Sequence, residues 1–211
     1  MVWPFRSKPK TRQELVALGD AARARGRLKK AIAQYQAALG LAPGDAAIHG
    51  KLAPLLARTQ QPDAAMASFQ AAADGHLAKG FADRAIAVWA QAAQSFPKQT
   101  RIWQELAKLH GGRGRRADAV KALLDGRGHL RKKAERTEAV GLLRQALELE
   151  PGHVEARVDL ARQLGKLGRR AEALALLQPL EGSGGKLLRR VRAAQFGIAP
   201  SFKTAWRWLR A

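Results

Sequence analysis

The residues of this chain that could do chemistry are few and scattered. Five histidines, His49, His76, His110, His129 and His153, stand far apart in 211 residues, and cysteine is absent. Without cysteine there is no disulfide, thiolate nucleophile or sulfur metal ligand. No His-Glu-x-x-His or acidic pair at ligand spacing accompanies the histidines. No Gly-x4-Gly-Lys-Ser/Thr loop occurs, and Gly111-Gly-Arg-Gly114 reads as a turn between helices, with weak anion binding at the following helix as its only chemistry. The chain is therefore expected to be non-catalytic, with no cofactor, no metal and no small-molecule substrate.

Charge is the chemistry it does carry. Thirty-eight Lys and Arg face 17 Asp and Glu, a formal net charge of +21. Compositional bias toward Ala, Gly and Arg could produce a basic chain without any function behind it. Such a bias should spread evenly, yet residues 182–211 hold seven Lys and Arg and no acid. An acidic partner is the functional reading: an acidic protein surface, nucleic acid or anionic lipid.

The elements that position these charges are helices. Apolar residues make up 46% of the chain, much of it alanine, and no alternating run reads as a strand. From Arg12 to Asp45, Leu15, Leu18, Gly19 and Ala22 lie on one helical face. Gly26 breaks the chain, Ala31, Tyr35 and Ala38 line a second helix, and Pro43 ends the unit. Leu52, Ala53, Ala65, Phe69 and Ala72 repeat the pattern, and Ala85, Trp89, Ala92 and Pro97 complete a longer unit. Trp103, Leu106, Ala107, Ala119, Leu123, Ala139, Leu143, Ala146 and Pro151 restate it, and Leu160, Ala161, Gly168, Ala173 and Leu177 begin it again. The interval from Pro97 to Pro151 equals the interval between the unit starts at 46, 100 and 154. The array thus reads as one ordinary repeat, two 54-residue three-helix units and a final ordinary repeat. One long helix near 62–79, and another near 115–133, is expected to serve two overlapping repeats.

The 34-residue pattern resembles the tetratricopeptide repeat, with Leu15 and Ala22 in place of the usual Trp and Tyr. The resemblance covers residues 12–181 and implies an all-α solenoid, a right-handed superhelix of antiparallel helix pairs. A basic leader with Trp3 and Phe5 (residues 1–11) would precede it, and a basic tail (182–211) would follow it.

In this family partner segments bind the concave face of each repeat's first helix, at its second, fifth, ninth, twelfth and thirteenth positions. Here those positions include Arg23, Arg58, Arg101, Lys108, Lys121, Arg131, Lys132 and Arg162. The resemblance thus implies a bacterial-type adaptor or scaffold whose basic groove takes an acidic protein or peptide. The chain contains no asparagine, so the carboxylate clamp of the co-chaperone members is missing. Two alternatives stay open: a basic solenoid on nucleic acid, and a peripheral membrane scaffold.

In the tail, Phe202, Trp206 and Leu209 fall at i, i+4 and i+7, one helical stripe. The stripe is expected to cap the last repeat, with Trp206 buried, the alternative being an anchor on anionic lipid or a partner. The first ten residues lack the apolar run of about 7–15 that a signal peptide needs. No stretch approaches the roughly 18 apolar residues of a membrane span. A cytoplasmic location is the expectation.

Overall fold

The computed structural model describes residues 10–182 and 184–210, with the backbone alone for Phe202 and Lys203. Trp3 and Phe5 lie outside the described residues. The described chain is helical throughout, with no strand, and divides into two compact units, Met1–Phe96 and Pro97–Ala211.

In the first unit, α1 (Arg12–Ala24) opens on a capping box: the Thr11 hydroxyl accepts from the Glu14 amide at 3.2 Å, and Glu14 Oε2 accepts from the Thr11 amide at 2.9 Å. Then follow α2 (Leu28–Leu41), α3 (Ala46–Arg58), α4 (Pro62–Leu77) and α5 (Ala82–Ser95). Each packs on its predecessor through a short link, so neighbours run antiparallel. Helices α1 and α2 approach closely. Gly19 carries no side chain where the buried Tyr35 ring lies, and a Cβ there would sit 2.6 Å from Tyr35 Cε1. Leu15, Ala22, Ile32, Ile48, Leu52 and Leu56 gather around this pair as the core.

The second unit contains α6 (Thr100–Gly112), α7 (Arg116–His129), a 3-10 turn (Lys133–Glu135), α8 (Arg136–Leu149), α9 (Val154–Lys166), α10 (Arg170–Leu177), a second 3-10 turn (Gln178–Leu180), α11 (Gly185–Ile198) and α12 (Phe202–Leu209). Its largest core cluster joins Val140 and Leu143 of α8, Val158, Ala161 and Leu164 of α9, Leu177 of α10 and Val191 and Ile198 of α11.

The repeat has a register. Helices α3, α4 and α5 start at Ala46, Pro62 and Ala82, while α6, α7 and α8 start at Thr100, Arg116 and Arg136, the same interval in all three cases. Helices α9 and α10 start at Val154 and Arg170, one more such interval along the chain. Asp74-Gly75 and Gly126-Arg-Gly128 stay inside unbroken helices. Helix α7, however, stops at His129 rather than near 133. Leu130 leaves the helical conformation and turns its side chain into the core, and the chain crosses to α8 by the 3-10 turn.

After α10 the register fails. Pro179 cannot continue a helix, so α10 has only 8 residues and the chain bends at Gln178–Leu180. Helix α11 then packs on α9 as well as α10. Gly165 of α9 makes room for Ile198: a Cβ at Gly165 would lie 2.6 Å from Ile198 Cγ1. The apolar face of the last repeat is thus covered by Val191, Ala194 and Ile198 of α11. Trp206 does not supply that cover, contrary to the sequence expectation: it is 49% exposed, and Leu209 is 75% exposed. Helix α11 reaches the face first, and α12 is left to pack on α11.

Candidate partner-binding face

The faces on which the sequence placed a basic groove belong to the first helix of each repeat. In the first unit, Arg23 is exposed near the end of α1 and lies 3.8 Å from Asp20, and Arg58 is exposed in the last turn of α3. Asp20 stands at the centre of a small polar cluster. It accepts from the Tyr35 hydroxyl at 2.7 Å and from Lys51 Nζ at 2.7 Å. Burial works to raise its carboxyl pKa, but the hydrogen bonds from Lys51 and Tyr35 and the charges of Lys51 and Arg23 outweigh it and hold the group below its usual range. Burial first, and then the Asp20 carboxylate, push the Tyr35 phenol well above its ordinary value. Beside this cluster Arg12 pairs with Asp45 at 2.6 Å. A cavity of about 280 Å³ lies between α1 and α3, lined by Gln13, Val16, Asp20, Ile48 and Lys51 among others.

In the second unit the predicted cations differ in their surroundings. Lys108 on α6 is exposed and Arg162 on α9 is half-buried. They occupy equivalent positions in successive repeats, and neither has an ion-pair partner among the described residues. Arg101 is exposed in the first turn of α6 and engaged by a neighbour. Lys121 is tied to its own helix, 2.6 Å from Asp125, whose hydrogen bond raises the lysine pKa. Arg131 and Lys132 lie on no helical face, because α7 ends before them. Arg131 Nε donates to the Gly128 carbonyl at 3.3 Å, and the Lys132 amide donates to Glu135 at 2.8 Å.

The acids of this unit are largely committed. Asp159 is held by Arg127 at 2.8 Å, Glu172 by Arg144 at 2.6 Å, and Glu135 by Lys98 at 2.8 Å. Glu155 lies 3.4 Å from Arg190. Hydrogen bonding from Lys98 holds the Glu135 carboxyl below its usual range. Among the described residues Glu105, Glu138, Glu148 and Glu150 carry no ion pair, but Asp159, the acid one turn before Arg162, is taken by Arg127, and Lys108 and Arg162 put an unpaired cation at the same first-helix position.

Three of the five histidines are held by structural contacts, and His110 lies 3.9 Å from Asp118. His49 Nε2 meets the Pro43 carbonyl at 2.9 Å, His153 Nδ1 accepts the Ala156 amide at 3.2 Å, and His129 stacks on Trp103 with ring centroids 5.6 Å apart. Burial, then Arg84 and Lys79, lower the His76 pKa. Among the described residues no three His, Asp or Glu side chains converge to hold a metal.

Sequence reasoning missed the carbonyls of Pro43, Pro97 and Pro151 as recurring acceptors, although the repeat frame could have exposed them. It also missed the Asp20 cluster, whose members Asp20, Tyr35 and Lys51 share no short spacing. Nor did any pattern announce the pairing of Gly165 with Ile198.

Residues 10–135 match the family model described as the bacterial transcriptional activator domain, and residues 130–195 match a model of the tetratricopeptide repeat. Among solved structures, a MamA protein is similar at 15% identity, covering 81% of this chain and 90% of that one, with a TM-score of 0.33. PilF of Pseudomonas aeruginosa is similar at 16% identity over 94% of this chain and 87% of that one, with a TM-score of 0.29. A tetratricopeptide-repeat protein from Parabacteroides merdae shows 14% identity over 93% and 89%, with a TM-score of 0.33. The comparison with curated proteins returned no match.

Proposed function

This chain belongs to the tetratricopeptide-repeat proteins and, over residues 10–135, to the family of the bacterial transcriptional activator domain; from that premise we propose that it is a non-catalytic adaptor gripping an acidic segment of a partner protein. Protein interaction is the business of the repeat. The single observation behind the acidic partner is the Lys108–Arg162 pair: two cations at one repeat position on α6 and α9, with no ion-pair partner among the described residues, while Asp159 and Glu155 on α9 are already engaged. A carboxylate-bearing segment laid along those helices would find two cations without a direct ion pair. The family description makes bacterial transcription the first setting in which to seek the partner. A cytoplasmic location accords with this reading.

The test is charge reversal. Lys108→Glu with Arg162→Glu should weaken binding to a fluorescent Glu-rich peptide by about tenfold or more, since each lost charge-assisted contact is worth on the order of 1.5–3 kcal/mol. The thermal midpoint should hold, because surface changes cost about 0.5 kcal/mol or less. Unchanged peptide binding rejects the reading. Single-stranded DNA held at physiological salt in preference to the peptide would favour a nucleic-acid partner instead.

A further inference from the structure

The chain ends in a surface that the core does not consume. Helices α11 and α12 form an antiparallel hairpin, closed by the Thr204 hydroxyl on the Ala199 carbonyl at 3.0 Å, the stacked rings of Phe196 and Trp208 at 5.8 Å, and Arg192 on the Arg207 carbonyl at 2.7 Å. Two of its features point inward. Val191, Ala194 and Ile198 cover α9, and Arg207 reaches back to Glu181 at 3.1 Å, beside Gln195 on the other oxygen at 2.6 Å.

What remains points outward. Trp206 is 49% exposed, Trp208 43% and Leu209 75%, a concentration of apolar surface at the tip of one short helix. Trp206 and Leu209 stand at i and i+3 on α12, so they share a face, and the Arg210 guanidinium lies over the Trp206 ring at 4.3 Å. The antiparallel hairpin sets the end of α12 beside Arg192 and Phe196 of α11, and Lys186 and Arg189 are exposed further along that same helix. Two carboxylates meet the hairpin, Glu181 and Glu155, and they are engaged by Arg207 and Arg190. No acid lies within residues 182–211 themselves.

We propose that the α12 ridge, Trp206 and Leu209 with Arg210 over the indole, on a hairpin whose other helix exposes Lys186 and Arg189, docks reversibly on the surface of an anionic phospholipid bilayer. The occupant follows from the chemistry. Indole rings settle at the headgroup level, an exposed leucine enters the acyl boundary, and arginine and lysine stems lie along apolar surface while their charges meet phosphate. A nucleic acid would give Trp206 a base to stack on but would leave the leucine, the most exposed of the three, in water. A protein partner needs about 800 Å² on each side, more than one eight-residue ridge offers. A bilayer needs only a small apolar toehold joined to a basic patch, two weak signals that suffice together. This ridge lies outside the first-helix faces, so the proposal stands or falls independently of the adaptor reading.

The experiment is co-sedimentation of the full chain with phosphatidylcholine vesicles, with and without phosphatidylglycerol. Binding is expected to the anionic vesicles and not to the neutral ones. Because a net charge of +21 would itself attract the protein to anionic lipid, the decisive variants leave that charge in place or add to it. Trp206→Ala with Leu209→Ala keeps every cation and should lower partitioning by about tenfold or more, the effect of keeping two large apolar side chains in water. Leu209→Lys is sharper: pure attraction predicts tighter binding, whereas docking of the ridge predicts weaker binding. Leu209 is so exposed that this change leaves the fold alone, and a thermal melt verifies it. Partitioning of either variant equal to or above that of the parent overturns the proposal. So does a parent chain that ignores anionic vesicles, including the case in which it retains single-stranded DNA through Trp206.

Discussion

Trp103 donates its indole N–H to the carbonyl oxygen of Pro97 at 2.9 Å, closing the turn that leads into α6. The relationship recurs in the repeat frame. His49 Nε2 meets the Pro43 carbonyl at 2.9 Å, and Arg157 Nη2 donates to the Pro151 carbonyl. Each donor is the fourth residue of its helix, and each acceptor is the proline that follows the end of the preceding helix in the chain. A carbonyl beyond a helix end lacks an intrahelical donor, and a side chain reaching back six positions supplies one. The requirement is a donor of sufficient reach, which explains why three such different residue types occupy the position. The acceptor also sets the His49 tautomer: a carbonyl cannot donate, so Nε2 carries the hydrogen, and the buried Nδ1 has no partner.

Trp103→Phe keeps the ring against Gly126 and removes the donor. A loss of about 1 kcal/mol in urea denaturation is expected, the usual net value of one hydrogen bond. Gly126→Ala attacks the same contact from the other side. Its Cβ would fall 2.3 Å from Trp103 Cγ, so a loss of about 1–3 kcal/mol should follow. If both variants denature with the parent, the Trp103 contact carries no stability.

Gln60 adopts φ +58 in the turn between α3 and α4, where its repeat equivalents Gly114 and Gly168 have φ +72 and +83. A left-handed conformation costs a residue with a Cβ roughly 1–2 kcal/mol. Gln60→Gly should therefore stabilise the chain, by up to about 1 kcal/mol after the added freedom of the unfolded glycine is subtracted. Gly114→Gln should do the reverse. Denaturant midpoints of the two variants moving in the same direction would contradict the strain argument.

Acidification should release the Asp20 cluster. Its carboxyl is depressed in the folded chain, so the stability it contributes is present above the unfolded pKa of about 3.9 and is lost as pH falls through the lower folded value. The side chain is 37% exposed, so the effect is screened and modest. Asp20→Asn should flatten the dependence of stability on pH below about 4, relative to the parent. An unchanged acid limb in melts across that range would remove the cluster from the account.

Ile198 and Trp206 should differ sharply on truncation. Ile198 is 4% exposed against Gly165, and Ile198→Ala is expected to cost about 2–4 kcal/mol. Trp206→Ala, at a half-exposed site, should cost under about 1 kcal/mol. Thermal melts with the opposite order would return the capping role to α12.

Much of this was legible because helices announce themselves by local spacing. Ala31, Tyr35 and Ala38 recur at helical intervals within one segment, and Pro43, Pro97 and Pro151 mark the ends of elements by a property of the residue itself. The all-α class and the repeat frame needed no knowledge of distant contacts. Even α11 and α12 followed from the glycines at 182–185 and from Pro200.

Which groups meet across helices was decided only in three dimensions. Lys121 reads as a groove cation until Asp125, one turn along, neutralises it. Arg131 and Lys132 read as helical until Leu130 turns into the core and ends α7 early. The stripe of Trp206 and Leu209 has the spacing of a cap, yet α11 had already covered α9. That outcome depends on Gly165 leaving a hollow that accepts Ile198, two helices further along the chain. Periodicity states that a helix has an apolar face. Competition among faces for the same core, settled by shape and by the length of the links, determines which one is buried.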